Sequence, residues 1–125
     1  MKIAVLDADP LAVEFVVRHM SKAGYICHAF FDARELLDHF HNQNYDLLIL
    51  DCALSGRSGE ETMDWVRTSL SQTLPVIFLS ARSTEQDVLS ILDAGADCYI
   101  IKPVSEMMLL ARINAILRRA MLSRL

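Results

Sequence analysis

Four side chains able to handle a phosphoryl group each follow a short apolar run: Asp7 after Leu6, Asp51 after Leu50, Ser80 after Leu79 and Lys102 after Ile101. Taken singly, an aspartate after a strand is a turn or cap residue and a lysine is a solvated charge. Taken together, two acids, a hydroxyl and an amine are what phosphoryl transfer needs, because that chemistry is mostly positioning plus neutralisation of charge on the equatorial oxygens. In such a site Asp51 is the nucleophile, Asp7 helps to hold a Mg²⁺ ion, Lys102 supplies a fixed positive charge and Ser80 donates a hydrogen bond to a phosphoryl oxygen.

These residues meet only if the fold brings the four run ends to one edge. Apolar runs from Ile3 to Leu6, Tyr25 to Phe30, Leu47 to Leu50, Val76 to Leu79 and Tyr99 to Ile101 are separated by segments of helical periodicity. Asp9 and Pro10 supply an N-cap and a proline at the first helical position, and Leu11, Phe15, His19 and Ala23 repeat every four residues after them. Asp32 with Glu35 opens a second helix carrying Leu36, Leu37 and Phe40. Further helices are expected at about 59–70, 84–94 and 105–120, the fourth stopped by Gly95 and the last carrying Leu109, Ile113, Ile116, Leu117 and Ala120. Five alternations of strand and helix predict a three-layer α/β fold, with a five-stranded parallel sheet in the flavodoxin-like order 2-1-3-4-5 and helices on both faces. The carboxyl ends of its strands then share one crevice, where ligands bind in such sheets.

A chain of 125 residues is sized for one domain, and 53% hydrophobic with 22% charged residues is ordinary for a globular one. Runs such as Leu47–Leu50 fall far short of a membrane span and the first residues lack a signal-peptide pattern, so a cytosolic protein without membrane contact is expected. Cys27, Cys52 and Cys98 are odd in number and widely spaced, which predicts free buried thiols. The net charge of -4 argues against nucleic-acid binding by this chain, so any DNA contact would come from another domain. His19, His28, His39 and His41 do not end central strands, which weakens zinc and Ser-His-Asp readings. His39 and His41 lie two apart and read as solvated surface.

Three separated stretches carry a family resemblance. After Asp51, Leu54-Ser55-Gly56-Arg57-Ser58-Gly59 resembles D-x-x-L-P-x-x-x-G, with Ser55 where proline is usual. Val76 to Arg82 resembles a strand ending in a switch Ser/Thr, and Gly95-Ala96-Asp97-Cys98-Tyr99-Ile100-Ile101-Lys102-Pro103 is similar to G-A-D-D-Y-x-x-K-P. Over essentially its whole length the chain resembles the receiver domain of response regulators, the CheY-like superfamily. The resemblance implies a receiver over 1–120 and the start of a linker at 121–125. It implies that Asp51 accepts a phosphoryl group from a sensor histidine kinase, that the chain is not otherwise an enzyme, and that Asp7, Asp51 and the backbone carbonyl of Ala53 hold Mg²⁺. It also implies a cis Lys102–Pro103 peptide and a switch made of Ser80 and Tyr99, which alters the face formed by the fourth helix, fifth strand and fifth helix. Tyr99 reads equally well as a half-buried tyrosine packed on the sheet edge.

The family usually carries two adjacent acids at the amino-terminal strand end; here Asp7 matches the first and Ala8 the second, leaving Asp9 as the candidate substitute ligand. Without a metal, Lys102 could pair with Asp51, and a phosphorylation-independent receiver is the alternative. The last helix, Leu109-Leu110-Ala111-Arg112 through Leu117-Arg118-Arg119, resembles the OmpR/PhoB-like winged-helix subfamily. That implies transcription control through a separate DNA-binding domain and a homodimer whose face includes Asp97, Arg112 and Arg118. A rival resemblance joins Ile3-Ala4-Val5-Leu6-Asp7-Ala8-Asp9 to the hhhhDxD opening of haloacid-dehalogenase-like phosphatases, with Asp7 as nucleophile and Asp9 as general acid/base. Against it, an acidic pair after Lys102 is missing and Asp51 would be idle.

Overall fold

Neighbouring residues of the central strands face opposite ways, and here both sets are apolar, so the sheet must be covered on both sides. The computed structural model describes residues 1–51 and 57–123. Among them lie β1 (Lys2–Leu6), α1 (Pro10–Lys22), β2 (Ile26–Phe30), α2 (Ala33–Phe40), β3 (Leu47–Leu50), α3 (Gly59–Trp65), β4 (Val76–Ser80), α4 (Glu85–Asp93), β5 (Cys98–Ile101) and α5 (Glu106–Ser123). All strand pairs are parallel and the order is β2-β1-β3-β4-β5, as expected. Ile3, Val5, Ile49 and Ile77 pack with Val16 and Met20 of α1 and with Leu109 and Ile113 of α5. Leu6, Leu50 and Phe78 join Leu36, Met63 and Ile91 from α2, α3 and α4 on the opposite face.

Local chemistry sets the helix ends. The Asp9 carboxylate accepts from the Leu11 N–H, and the Asp32 carboxylate accepts from Glu35 N–H. Ser58 and Glu61 form a full capping box at α3, a signal absent from the motif reading above. Gly95 has φ 114° and closes α4, its N–H reaching Leu92 O while Ala96 N–H reaches Ile91 O, the paired bonds of a Schellman end. Gly24, at φ 100°, closes α1 with the same pair of bonds.

Four expectations change. The buried side of α1 is Val13, Val16 and Met20, not the repeat beginning at Leu11, which is 74% exposed. At about 100° per residue, a strict four-residue repeat drifts about 40° around the helix at each step and leaves the core face. The helix expected through residue 70 is α-helical only to Trp65; Val66–Leu70 form a π turn, closed by Ser71 N–H to Val66 O. Helix α5 runs to Ser123, past the boundary at 120. Cys27 and Cys98 are free but half-buried, while Cys52 lies outside the described residues.

The face assignment of α1 has a direct test. Met20→Ala should cost about 2–5 kcal/mol in urea unfolding, whereas Leu11→Ala should stay within about 0.5 kcal/mol of the parent.

Candidate functional site

Each residue of the predicted site is fixed by a backbone bond that prolongs the sheet. Asp7 N–H donates to Phe30 O at 3.2 Å, Asp51 N–H to Leu6 O at 3.3 Å and Lys102 N–H to Ser80 O at 2.8 Å. Leu6 pairs with Leu50 in register, so the next residues, Asp7 and Asp51, emerge side by side at the carboxyl edge. Ser80 ends β4, and Lys102 follows β5 and begins the Lys102–Pro103 bond, which is cis as expected.

The centre of the site is an ion triad. Lys102 Nζ donates to Asp7 Oδ2 and to Asp51 Oδ2, both at 2.8 Å. All three side chains are largely shielded, which strengthens the attraction relative to a surface pair. Burial pulls the Lys102 pKa down, but its hydrogen bonds to Asp51 and Asp7, with their charges, outweigh burial and hold it above the ordinary lysine value. The remaining oxygen of Asp7, Oδ1, accepts from Asp9 N–H at 2.9 Å.

Ser80 and Tyr99 are joined through one residue. Arg82 N–H donates to Ser80 Oγ at 3.3 Å, and the Tyr99 hydroxyl donates to Arg82 O at 2.6 Å. The Tyr99 ring lies parallel to Phe78, with centroids 6.3 Å apart, and is half-buried. A displacement of Ser80 Oγ therefore has a covalently short route to Tyr99.

A divalent cation fits this edge poorly. Asp9, the candidate substitute for the acid absent at Ala8, is exposed, and its Oδ1 accepts from Leu11 N–H at 3.0 Å as the cap of α1. Both Asp7 oxygens are engaged, and the Ala53 carbonyl lies outside the described residues. Among the described residues, no group of three or more His, Cys, Asp or Glu is arranged to hold a metal. His28 instead bonds the Tyr45 hydroxyl, His39 bonds Glu35 O, and His19 faces the Glu106 carboxylate. Burial pushes both the Cys27 and Cys98 thiols up, which keeps them protonated and poor nucleophiles.

The remaining predicted residues lie apart from the triad. Arg112 and Arg118 are exposed on α5, and Asp97, also exposed, accepts from Val76 N–H at 2.7 Å through its carboxylate and faces Arg67. Arg67 itself was not singled out from sequence. Its guanidinium donates to Leu74 O at 2.7 Å and Gly95 O at 3.0 Å, binding the π turn to the loops before β4 and β5. A lone arginine inside a helical pattern carries no signal for such a role, because its acceptors are backbone carbonyls.

Residues 3–114 match the response regulator receiver domain family. The transcriptional regulatory protein HprR of Escherichia coli (strain K12) is 40% identical over 119 residues, covering 95% of this chain and 52% of that protein. The two-component response regulator PhoP of Pseudomonas aeruginosa is 35% identical over 122 residues, covering 96% and 53%. The chain thus spans about half the length of the curated relatives it matches. A crystal structure of a two-component response regulator from Clostridium difficile superposes with a TM-score of 0.87 at 27% identity, covering 95% of this chain and 97% of that one. A CheY-like receiver protein from Methanospirillum hungatei shares the fold at TM-score 0.87 and 24% identity, covering 98% and 97%.

Removing the ammonium leaves two carboxylates facing each other. Lys102→Met should therefore destabilise the domain by about 1–3 kcal/mol near neutral pH, the range reduced from that of a fully buried pair because solvent still reaches the site. Because the folded Lys102 pKa lies above the ordinary lysine value, its contribution is complete below that value and lost as pH rises through the folded one. The stability difference between parent and variant should be flat from about pH 6 to pH 9 and shrink only in the alkaline range.

Proposed function

The chain belongs to the response regulator receiver domain family, and from that premise we propose that Asp51 is the carboxylate through which it takes up a phosphoryl group. It is the receiver domain of a two-component response regulator, which removes the phosphatase reading that made Asp7 the nucleophile and Asp9 the acid/base. Receiver domains are phosphorylated by sensor histidine kinases, are generally phosphoacceptors rather than enzymes, and typically bind Mg²⁺ at the phosphorylation site. The observation that carries the assignment is the Lys102 ammonium within 2.8 Å of both Asp51 and Asp7. It supplies the fixed cation that a phosphoryl acceptor requires.

In the proposed reaction an Asp51 carboxylate oxygen attacks the phosphorus of a phosphohistidine. The new P–O bond forms as the P–N bond breaks, and the imidazole leaves with the electron pair. Lys102 then compensates charge on the transferred group, and the Ser80 hydroxyl, 1% exposed at the adjoining strand end, donates to one of its oxygens. Ser80 Oγ would thereby leave Arg82 N–H, and the shift would pass through Arg82 to the Tyr99 hydroxyl. An apolar depression beside Lys102, lined by Leu11, Ala12, Phe15, Leu79, Pro103 and Val104, suits the approach of a kinase helix.

The output is assigned to a separate DNA-binding domain controlled through the α4–β5–α5 face, since a domain of net charge -4 lacks the basic footprint DNA requires. Arg112 and Arg118 are the exposed charges offered to a second copy there, while Asp97 acts mainly within its own chain. Helix α5 would lead into the connecting segment. The described residues include no helix long and apolar enough to cross a membrane.

Incubation with phosphoramidate in Mg²⁺ buffer, read by intact mass, should add one phosphoryl group to the parent chain and none to Asp51→Asn. An adduct that persists in Asp51→Asn would refute the acceptor assignment, and no adduct on the parent would favour the phosphorylation-independent receiver.

A further inference from the structure

The amino-terminal strand end provides one carboxylate to the site, Asp7, and then an exposed alanine. Mg²⁺ demands near-octahedral oxygen ligands at about 2.0–2.1 Å, and it gives up its waters reluctantly. One oxygen of each carboxylate, Asp7 Oδ2 and Asp51 Oδ2, is already bound by Lys102 Nζ at 2.8 Å. A cation between them would compete with the ammonium for the same pair of atoms. Charge counts against it as well: two carboxylates and one ammonium sum to -1, whereas an acid at position 8 would bring the sum to -2. Asp9 commits one carboxylate oxygen to the cap on α1 and is exposed one residue beyond position 8.

We infer that in the resting receiver Lys102, rather than a divalent cation, neutralises Asp7 and Asp51, and that Ala8 is the residue that makes it so. The site then idles as a closed internal ion triad, with the fold's usual metal excluded by the chain's own lysine. This rests on the assignment of the phosphorylation site to the Asp51 edge, but it is read by metal binding and not by phosphorylation.

The test is a MgCl₂ titration of the whole chain, followed by calorimetry and by NMR of the Asp7, Asp9 and Asp51 backbone amides. The parent should show no saturable binding through the low millimolar range. Ala8→Asp, which adds a ligand and a charge, and Lys102→Met, which removes the competitor, should each bind at least about tenfold more tightly. A native spread of amide shifts in both variants establishes that they fold. Submillimolar Mg²⁺ binding by the parent overturns the inference, as does a folded Lys102→Met chain that gains no affinity. A folded Ala8→Asp chain without gain overturns the role given to Ala8. Failure of the Asp51 assignment would appear separately, as phosphorylation that survives Asp51→Asn.

Discussion

Two carboxylates on adjacent parallel strands cannot stand at the same sheltered edge unless something positive stands between them. Strands lie about 4.8 Å apart, and two like charges about 5 Å apart at an effective dielectric of about 20 repel by roughly 3 kcal/mol. The register that pairs Leu6 with Leu50 forces Asp7 and Asp51 into that relation. The sheet order forces the solution to come from across β4, because β5 is not a neighbour of β3. Lysine is long enough to make the crossing, and the backbone bond from Lys102 N–H to Ser80 O anchors the base of its side chain. The electrostatic requirement and the topology thus select the same residue.

That arrangement ties the site to the rest of the sheet at the one place where it could respond. Ser80 accepts the Lys102 backbone N–H through its carbonyl, and its hydroxyl accepts from the N–H of Arg82. Because Arg82 also holds the Tyr99 hydroxyl, the β4–α4 loop links Ser80 at the end of β4 to Tyr99 of β5. Among the described residues, several connections are tied by hydrogen bonds. Arg67 binds the segments before β4 and β5, and the Schellman ends at Gly24 and Gly95 fix where α1 and α4 stop.

The sequence discloses what depends on residue type at a boundary and hides what depends on direction. Asp7, Asp51, Ser80 and Lys102 stood out because polar residues interrupt apolar runs at strand ends, and the parallel topology then brought them together. Asp9 and Gly95 were legible for the same reason, as helix-boundary residues with distinct chemistry. The face of α1 was not, because a repeat of four and a repeat of 3.6 diverge within three turns and Leu11 falls off the core side. The capping box of Ser58 with Glu61 has the same spacing as Asp32 with Glu35 and was open to the same reading, whereas the π turn and the reach of Arg67 depend on backbone geometry and carbonyl acceptors that no spacing pattern records. Ala8 was legible as a missing acid, and a Lys102–Asp51 pair as its consequence in a site without metal, but the ammonium's second contact, with Asp7, was not, since that depends on where the side chain settles.

Fold and site charge are separable in this molecule. Helix α1, the sheet register and the two cores are insensitive to residue 8, whose side chain is exposed beyond the end of β1. A chain at 27% identity keeps the same architecture at TM-score 0.87 because alternating apolar faces and parallel pairing determine it. The resting charge at the carboxyl edge follows a different rule: it is the sum of a few side chains, and one exposed position changes it by a full unit. The proposed acceptor and the Ser80–Arg82–Tyr99 link can therefore stay unchanged while the charge beside them differs. In this chain the cation held against Asp51 is an ammonium that directly follows β5, the strand that also carries Tyr99.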